Sequence, residues 1–337
     1  MEIRGIDIGF GFTKVTNGRD SQLFKSVIGE AADIQFREQL LKPLTPEPHL
    51  QLEIDGHAIY VGELAERQSK GRAYTLDQSQ MIAKFAKTLA LAGLSLMTER
   101  NVPVQVVTGL PVSYYRRHKD ELSAQLTGRH TLKVTDAAGH MQETVISIDK
   151  VRVIPQPFGS VFDLIFNDIG KASDKRFLTE KIGVIDIGFR TADYTICDKT
   201  RYSERGSQTT DSGIAKAFAM IATALQDVSG VNIELYRLYD AVSRGSIKIH
   251  GKTHDLRPLV QHAFGQLAAT VAAEVERLWA DDWDIDTVVV TGGGGAVLYP
   301  QLQPLLRGDV LAADTARDAR LNNVRGYWKY GVHLWNR

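Results

Sequence analysis

The sequence predicts an α/β protein of two domains, and three observations carry that reading. The pentapeptide Ile-Asp-Ile-Gly-Phe occurs at 6–10 and again at 185–189, its aspartates 179 positions apart (186 − 7). Strand-like and helix-like stretches alternate in both halves, as in α/β folds. At 337 residues the chain is long enough for two hydrophobic cores. A carboxylate set into an apolar strand is costly unless something offsets its desolvation. Two matched carboxylates, Asp7 and Asp186, therefore suggest two similar half-molecules sharing one ligand, an anion accompanied by a metal.

The elements follow in order. Residues 3–8 and 13–17 read as strands joined by a turn at 9–12, where Gly9 and Gly11 supply positions that tolerate no Cβ. Pro43, Pro46 and Pro48 punctuate the chain before strand character returns at 50–61, with Asp55-Gly56 as a hairpin signal. Ile82, Phe85, Leu89 and Leu96 share one face of a helix over 81–96. A short buried strand, 105–108, closes at Gly109-Leu110-Pro111, and the basic, polar stretch 113–125 reads as a surface helix. Residues 145–153 form a strand, and 155–167 turn into a helix rich in small and apolar residues. The second half repeats the scheme. Residues 184–187 pair with 192–196, Ser212 caps a helix running to Leu225, and 256–281 is a long helix with Pro258 in its first turn. The strand 287–291 opens onto the glycine run 292–295. No Ser/Gly-rich linker separates the halves. The expected division is 1–165 plus 316–337 for the first domain and 166–315 for the second.

Composition narrows the function classes. Hydrophobic residues make up 43% and charged residues 24%, as in ordinary globular chains. Lys plus Arg equals Asp plus Glu at 40 each, so no global field favours direct nucleic-acid or membrane binding. Cys197 is the only cysteine, which excludes an internal disulfide framework and fits a reducing compartment. The first residues lack a signal-peptide core, and no apolar run reaches membrane-spanning length. The expectation is a cytoplasmic protein.

Three motifs carry chemistry. In Gly5-Ile-Asp-Ile-Gly-Phe-Gly-Phe-Thr-Lys14, glycines in an inter-strand turn let backbone N–H groups approach phosphate oxygens. Lys14 follows as a cation within reach. Asp7 cannot face phosphate directly and calls for a bridging Mg²⁺, held largely through water. Val184-Ile-Asp-Ile-Gly-Phe-Arg-Thr-Ala-Asp193 repeats the arrangement, Asp186 matching Asp7 and Gly188 matching Gly9. Val288-Val-Val-Thr-Gly-Gly-Gly-Gly-Ala296 is a buried strand ending in glycines. Ligands collect at such strand ends, and glycine lets a base or sugar lie against the backbone. A core hairpin or a plain glycine loop is the bland alternative for each motif alone.

Together, in this order, the motifs resemble the actin, Hsp70 and sugar-kinase superfamily of ATPases. Its members carry two phosphate turns, an adenosine loop and two connecting helices. Val153-Ile-Pro-Gln-Pro-Phe-Gly-Ser-Val-Phe162 is similar to the first connecting segment, and Leu321-Asn-Asn-Val-Arg-Gly-Tyr-Trp-Lys-Tyr330 to the second. Val107-Thr-Gly-Leu-Pro-Val-Ser-Tyr-Tyr115 and Asn323-Val-Arg-Gly-Tyr327 resemble most closely the actin-like proteins of the plasmid-segregation (ParM/StbA) kind. The resemblance covers nearly the whole chain. It implies two actin-like (ribonuclease H-like) domains with a nucleotide cleft between them, and a slow, Mg²⁺-dependent ATPase. It also implies cytoskeletal filaments grown by self-association, with plasmid partition through a DNA-binding adaptor as one role.

The same resemblance assigns residues. Gln156 stands where relatives orient the attacking water, with Asp186 also polarising it. Asp7 and Asp186 hold hydrated Mg²⁺. Gly9, Gly11, Thr13, Lys14, Gly188, Arg190, Thr191, Gly292, Gly293, Gly294 and Gly295 contact ATP (or GTP, which the sequence does not separate). The second phosphate turn departs from the pattern: Phe189 and Arg190 replace further glycines, with the Arg190 cation as the compensating feature.

Other constellations are set aside. P-loop and Gly-x-Gly-x-x-Gly fingerprints are not found in the phosphate turns. His250 and His254 bracket Gly251 without an acidic partner in pattern. Arg116, Arg117 and Lys119 read as a solvated helix face, and Tyr327, Trp328 and Tyr330 as packing of a C-terminal helix. Ser113 and Cys197 lack a base in any nucleophile pattern. The alternative function is a non-polymerising superfamily enzyme, a small-molecule kinase or phosphatase. No kinase-type carboxylate stands near 108–113 to favour it. A protein using nucleotide only as a structural clamp is a third reading.

Overall fold

The computed structural model describes residues 2–32, 34, 48–97, 102–313 and 317–336. Pro43 and Pro46 lie outside the described residues. The chain divides into two compact units: Met1–Leu110, Tyr114–Ser173 and Asn323–Arg337 form the first, and Pro111–Ser113 with Asp174–Asn322 the second.

In the first unit, five strands stand in the order Ser21–Lys25, Phe12–Thr16, Glu2–Ile8, Val104–Leu110 and Met141–Pro155. Going across, the pairings are antiparallel, antiparallel, parallel, parallel. The second unit repeats both order and sense with Arg201–Thr210, Ala192–Asp198, Lys181–Ile187, Thr287–Thr291 and Asp309–Ala312. The duplicated pentapeptide thus marks a duplicated sheet. Val104–Leu110 and Thr287–Thr291 are buried along their whole length, which is why neither shows the regular polar alternation of a half-exposed strand. Beyond Met141–Pro155 the first sheet gains Gly128–Thr135, Leu50–Ile54, His57–Val61, Ile28–Glu30 and Arg72–Ala73. The Asp55-Gly56 turn has both residues at positive φ, the tight hairpin its sequence predicts.

The helix expected over 81–96 begins at Gln78, where the Asp77 carboxylate accepts from the Gln80 amide, and a π-turn over Met81–Phe85 interrupts it. Val112–Leu126, Phe158–Ile165 and Arg257–Leu278 correspond to the other expected helices. Two expectations need correction. Ser212 does not cap the helix, which starts at Ala215 with no side-chain cap. Its first amides are taken by the second turn instead: Ile214 N–H donates to Gly188 O at 3.0 Å and Ala215 N–H to Phe189 O at 2.8 Å. The glycine run is likewise no loop, because 292–295 forms the first turn of helix Gly292–Leu302.

The C-terminal helix Asn322–Trp335 packs within the first unit on Phe158–Ile165, bringing together the two segments singled out as connectors. Asn323 Oδ1 accepts from the Ser160 amide and hydroxyl. Asp163 pairs with Arg325 and Lys329. Tyr327 is buried, and the Tyr330 ring stacks on Phe162 at 4.4 Å between centroids. Backbones approach closely here: a Cβ built at Gly326 lies 1.6 Å from Gly159 O. No helix among the described residues is long and apolar enough to cross a membrane.

Candidate functional site

In the first unit, Asp7 sits one residue before the end of its strand, opposite Lys14 in the antiparallel register. The turn between them closes by a bond from Gly9 N–H to Phe12 O at 3.1 Å. Ser26 braces it, its hydroxyl donating to Gly9 O at 2.6 Å and lying 2.9 Å from the buried Thr13 Oγ1, while Ser26 N–H donates to Gly11 O. The Lys14 ammonium pairs with Asp7 Oδ2 at 2.8 Å. The Gln156 amide donates to Asp7 Oδ1 at 3.1 Å. An ionised carboxylate only accepts, so Asp7 fixes the amide of Gln156 inward and leaves the Gln156 carbonyl oxygen as its outward acceptor. Gln156 is itself pinned through its backbone, N–H to Leu110 O and carbonyl to the Tyr327 hydroxyl. The structure therefore brings Asp7, Lys14 and Gln156 together although 149 positions separate the outer pair.

In the second unit, Asp186 holds the equivalent strand position, and its turn closes the same way, Gly188 N–H to Thr191 O at 2.9 Å. A Cβ at Gly188 would meet only Thr191 O, at 3.5 Å, so the protein leaves space there. Phe189 points inward onto Phe218 and Tyr239, with centroids 6.1 and 5.2 Å away. Arg190 pairs with Asp211 at 2.9 Å, so its charge is already shared. Opposite Asp186 stands Asp193 in place of a lysine, the point at which the two copies differ most. The helix-forming glycines pack on this turn: a Cβ at Gly292, whose φ is +83°, would fall 2.4 Å from Asp186 Oδ1, and one at Gly294 2.8 Å from Ile187 O. Gly293 lies under the Arg320 side chain and Gly295 against Val290. The glycine run thus shapes the second turn directly.

Asp193 closes the second motif, at a position to which the sequence assigns no role. It is fully buried, and its carboxylate accepts from Thr209 Oγ1 at 2.5 Å, the Val112 amide at 2.8 Å and Thr191 Oγ1 at 3.4 Å. Burial pushes its pKa up to about 6, against the opposing pull of those hydrogen bonds. The unfolded carboxyl ionises near 3.8, so the folded chain holds the proton more tightly, and stability is lost as pH rises through about 6. Asp193→Asn is expected to match the parent at pH 4. At pH 7.5 it should be more stable by up to about 3 kcal/mol. Urea unfolding at both pH values checks this, and a difference that fails to grow with pH contradicts it.

Among the described residues no three metal-ligating side chains cluster. Single carboxylates at Asp7 and Asp186 suit Mg²⁺, which keeps several waters and takes the rest of its ligands from phosphate. Those donors fit the ion better than they would fit zinc or calcium.

A five-strand order repeated in two units, each with a carboxylate beside a closed turn, defines a two-domain α/β protein of the actin class. Residues 5–159 match the family of actin-like protein N-terminal domains, and residues 184–304 the C-terminal domain of archaeal MreB-like actin homologues; the chain belongs to the actin-like proteins. It is similar to a non-polymerisable quadruple mutant of pCBH ParM, at 25% identity and TM-score 0.80 over 98% of both chains. It is similar also to the ParM of a 15-stranded filament from Clostridium botulinum, at 24% identity and TM-score 0.81 over 98% of both chains. The archaeal actin homolog Ta0583 in complex with ADP superposes with TM-score 0.78 at 18% identity, over 98% of this chain and 99% of that one. No curated protein sequence matches the chain.

Proposed function

We propose that this chain is a slow ATPase that binds one nucleotide with Mg²⁺ and assembles in response into filaments. The observation that carries the reading is the matched pair of closed turns, each with its buried carboxylate, one of them joined to Lys14 and Gln156. Structures of the same fold include an archaeal actin homolog in complex with ADP and a ParM filament. In this reading the amides of the first turn and the Lys14 ammonium bind phosphate, and the turn at Gly188 lets a second stretch of backbone approach it. Asp7 and Asp186 hold hydrated Mg²⁺, which when bound neutralises charge on the phosphates. The Gln156 carbonyl oxygen orients a water in line with the terminal phosphate. A carboxamide is no base at neutral pH, so hydrolysis is slow and serves as a timer. Plasmid segregation through a DNA-binding adaptor is the role we assign to the filaments.

High-speed sedimentation tests the reading. ATP with Mg²⁺ is expected to drive the chain into the pellet, and GTP run alongside identifies the preferred base. Bound nucleotide with no pellet at any protein concentration would sink the filament claim. Gln156→Ala should slow phosphate release by roughly 10²-fold and lengthen polymer lifetime. Unchanged release would remove Gln156 from the mechanism.

A further inference from the structure

The second turn is strapped by the chain that leads into helix Ala215–Ser229. Successive amides of that strap take the successive carbonyls of the turn. Gly213 N–H donates to Arg190 O at 3.2 Å, Ile214 N–H to Gly188 O at 3.0 Å and Ala215 N–H to Phe189 O at 2.8 Å. The fit is close, because a Cβ at Gly213 would fall 2.4 Å from both Arg190 C and Phe189 O. In a trans peptide the carbonyl and the next residue's N–H point in opposite directions, and no cis bond occurs among the described residues. With the carbonyls of 188–190 turned to the strap, the amides of Phe189, Arg190 and Thr191 face away from it. Successive amides aimed in this way make an anion-binding nest.

Arg190 belongs to that nest through its backbone, yet its guanidinium pairs at 2.9 Å with Asp211, the residue that opens the strap. The Asp211 side chain is 71% exposed and that of Arg190 31%. Solvent screens such a pair, and it contributes little to stability. The backbone bonds from 213–215 hold strap and turn together without it. Phosphate, by contrast, takes a guanidinium through paired charge-assisted bonds, the geometry a carboxylate also offers. The one cationic side chain within the turn is therefore held by a screened mimic of the anion that its own backbone is shaped to receive.

We propose that Asp211 is a positioning residue that withholds the Arg190 guanidinium from phosphate in the empty chain, and that bound nucleotide takes it over. The inference rests on the nucleotide reading above and adds to it an internal competitor that sets affinity. Binding then exchanges one ion pair for another while the strap's backbone bonds stay in place. The apparent affinity falls by the fraction of chains in which Asp211 still holds the arginine.

Calorimetric titration of AMPPNP and of GMPPNP, each with Mg²⁺, into the parent chain and its variants tests the exchange. Asp211→Asn keeps the shape and removes the charge, and it is expected to tighten binding of the preferred nucleotide about threefold to fivefold. Asp211→Glu should return the affinity to that of the parent. Arg190→Ala should weaken binding about tenfold or more, with Arg190→Gln standing in should that variant fail to fold. Asp211→Asn added to the Arg190 variant should bring almost no gain, because the competitor has nothing left to hold. That coupling separates the exchange from mere loss of a negative charge, which would tighten binding with or without Arg190. Asp211→Asn binding at the parent affinity or more weakly, or a gain that survives loss of Arg190, overturns the proposal while the nucleotide reading stands. A parent chain that binds neither nucleotide removes both.

Discussion

Gly292→Ala is expected to reduce nucleotide turnover by at least about 10²-fold, although the replaced residue gains only a methyl group. Its φ of +83° lies in the left-handed region, where a Cβ costs about 1–2 kcal/mol. The larger effect is positional. The new Cβ would sit 2.4 Å from Asp186 Oδ1 and 2.5 Å from Ile187 O, distances at which something must shift. The strand end at Ile187 is held by pairing to Ala192, so the start of helix Gly292–Leu302 and the carboxylate must both shift. A displaced Asp186 can no longer hold its share of the hydrated ion. Phosphate release measured beside thermal unfolding separates the two effects. A clear loss of stability and a severe loss of rate are expected together, whereas a normal rate in the folded variant would mean that Asp186 is not where hydrolysis is governed.

Gly326→Ala should destabilise the first unit by about 3 kcal/mol or more, against the direction that helix propensity alone gives. Glycine inside a helix is worse than alanine by about 1 kcal/mol, so an uncrowded site would gain stability from the change. Here the added Cβ would fall 1.6 Å from Gly159 O and 2.8 Å from the Asp163 amide nitrogen. Both are backbone atoms and have no rotamer in which to retreat, and overpacking of this kind is expensive. The helix Asn322–Trp335 would have to lift, straining the Ser160–Asn323 bonds and the Asp163 ion pairs. It also carries Tyr327, whose hydroxyl donates to the backbone carbonyl of Gln156. Urea unfolding gives the sign at once: a raised midpoint would refute the packing argument.

Much of the fold is legible in the sequence because burial writes itself as apolar runs. The repeated pentapeptide does fall on equivalent strands in two sheets that share a five-strand order, and the Asp55-Gly56 turn and the strand 287–291 lie where the residues place them. What escaped was made by backbone atoms distant in sequence. The cap of helix Ala215–Ser229 comes from carbonyls at Gly188 and Phe189, which no side-chain signature announces. Four glycines argue against a helix on propensity, yet close packing on Ile187 and Gly188 imposes one. Arg190 reads as a spare cation until Asp211 is found beside it. The grouping of Asp7, Lys14 and Gln156 was half legible: register places the first two, and only the resemblance pointed to the third. Asp193 had a signal of its own, a carboxylate in the apolar strand Ala192–Asp198, directly across from Asp186.

Calorimetric titration of nucleotide with Mg²⁺ into the parent chain, Lys14→Ala and Gly292→Ala tests most directly the claim that two duplicated turns serve one ligand. One nucleotide bound per parent chain and a large loss of affinity in both variants are expected, though the substitutions lie in different units. Two nucleotides per chain, each abolished by only one of the substitutions, would contradict it.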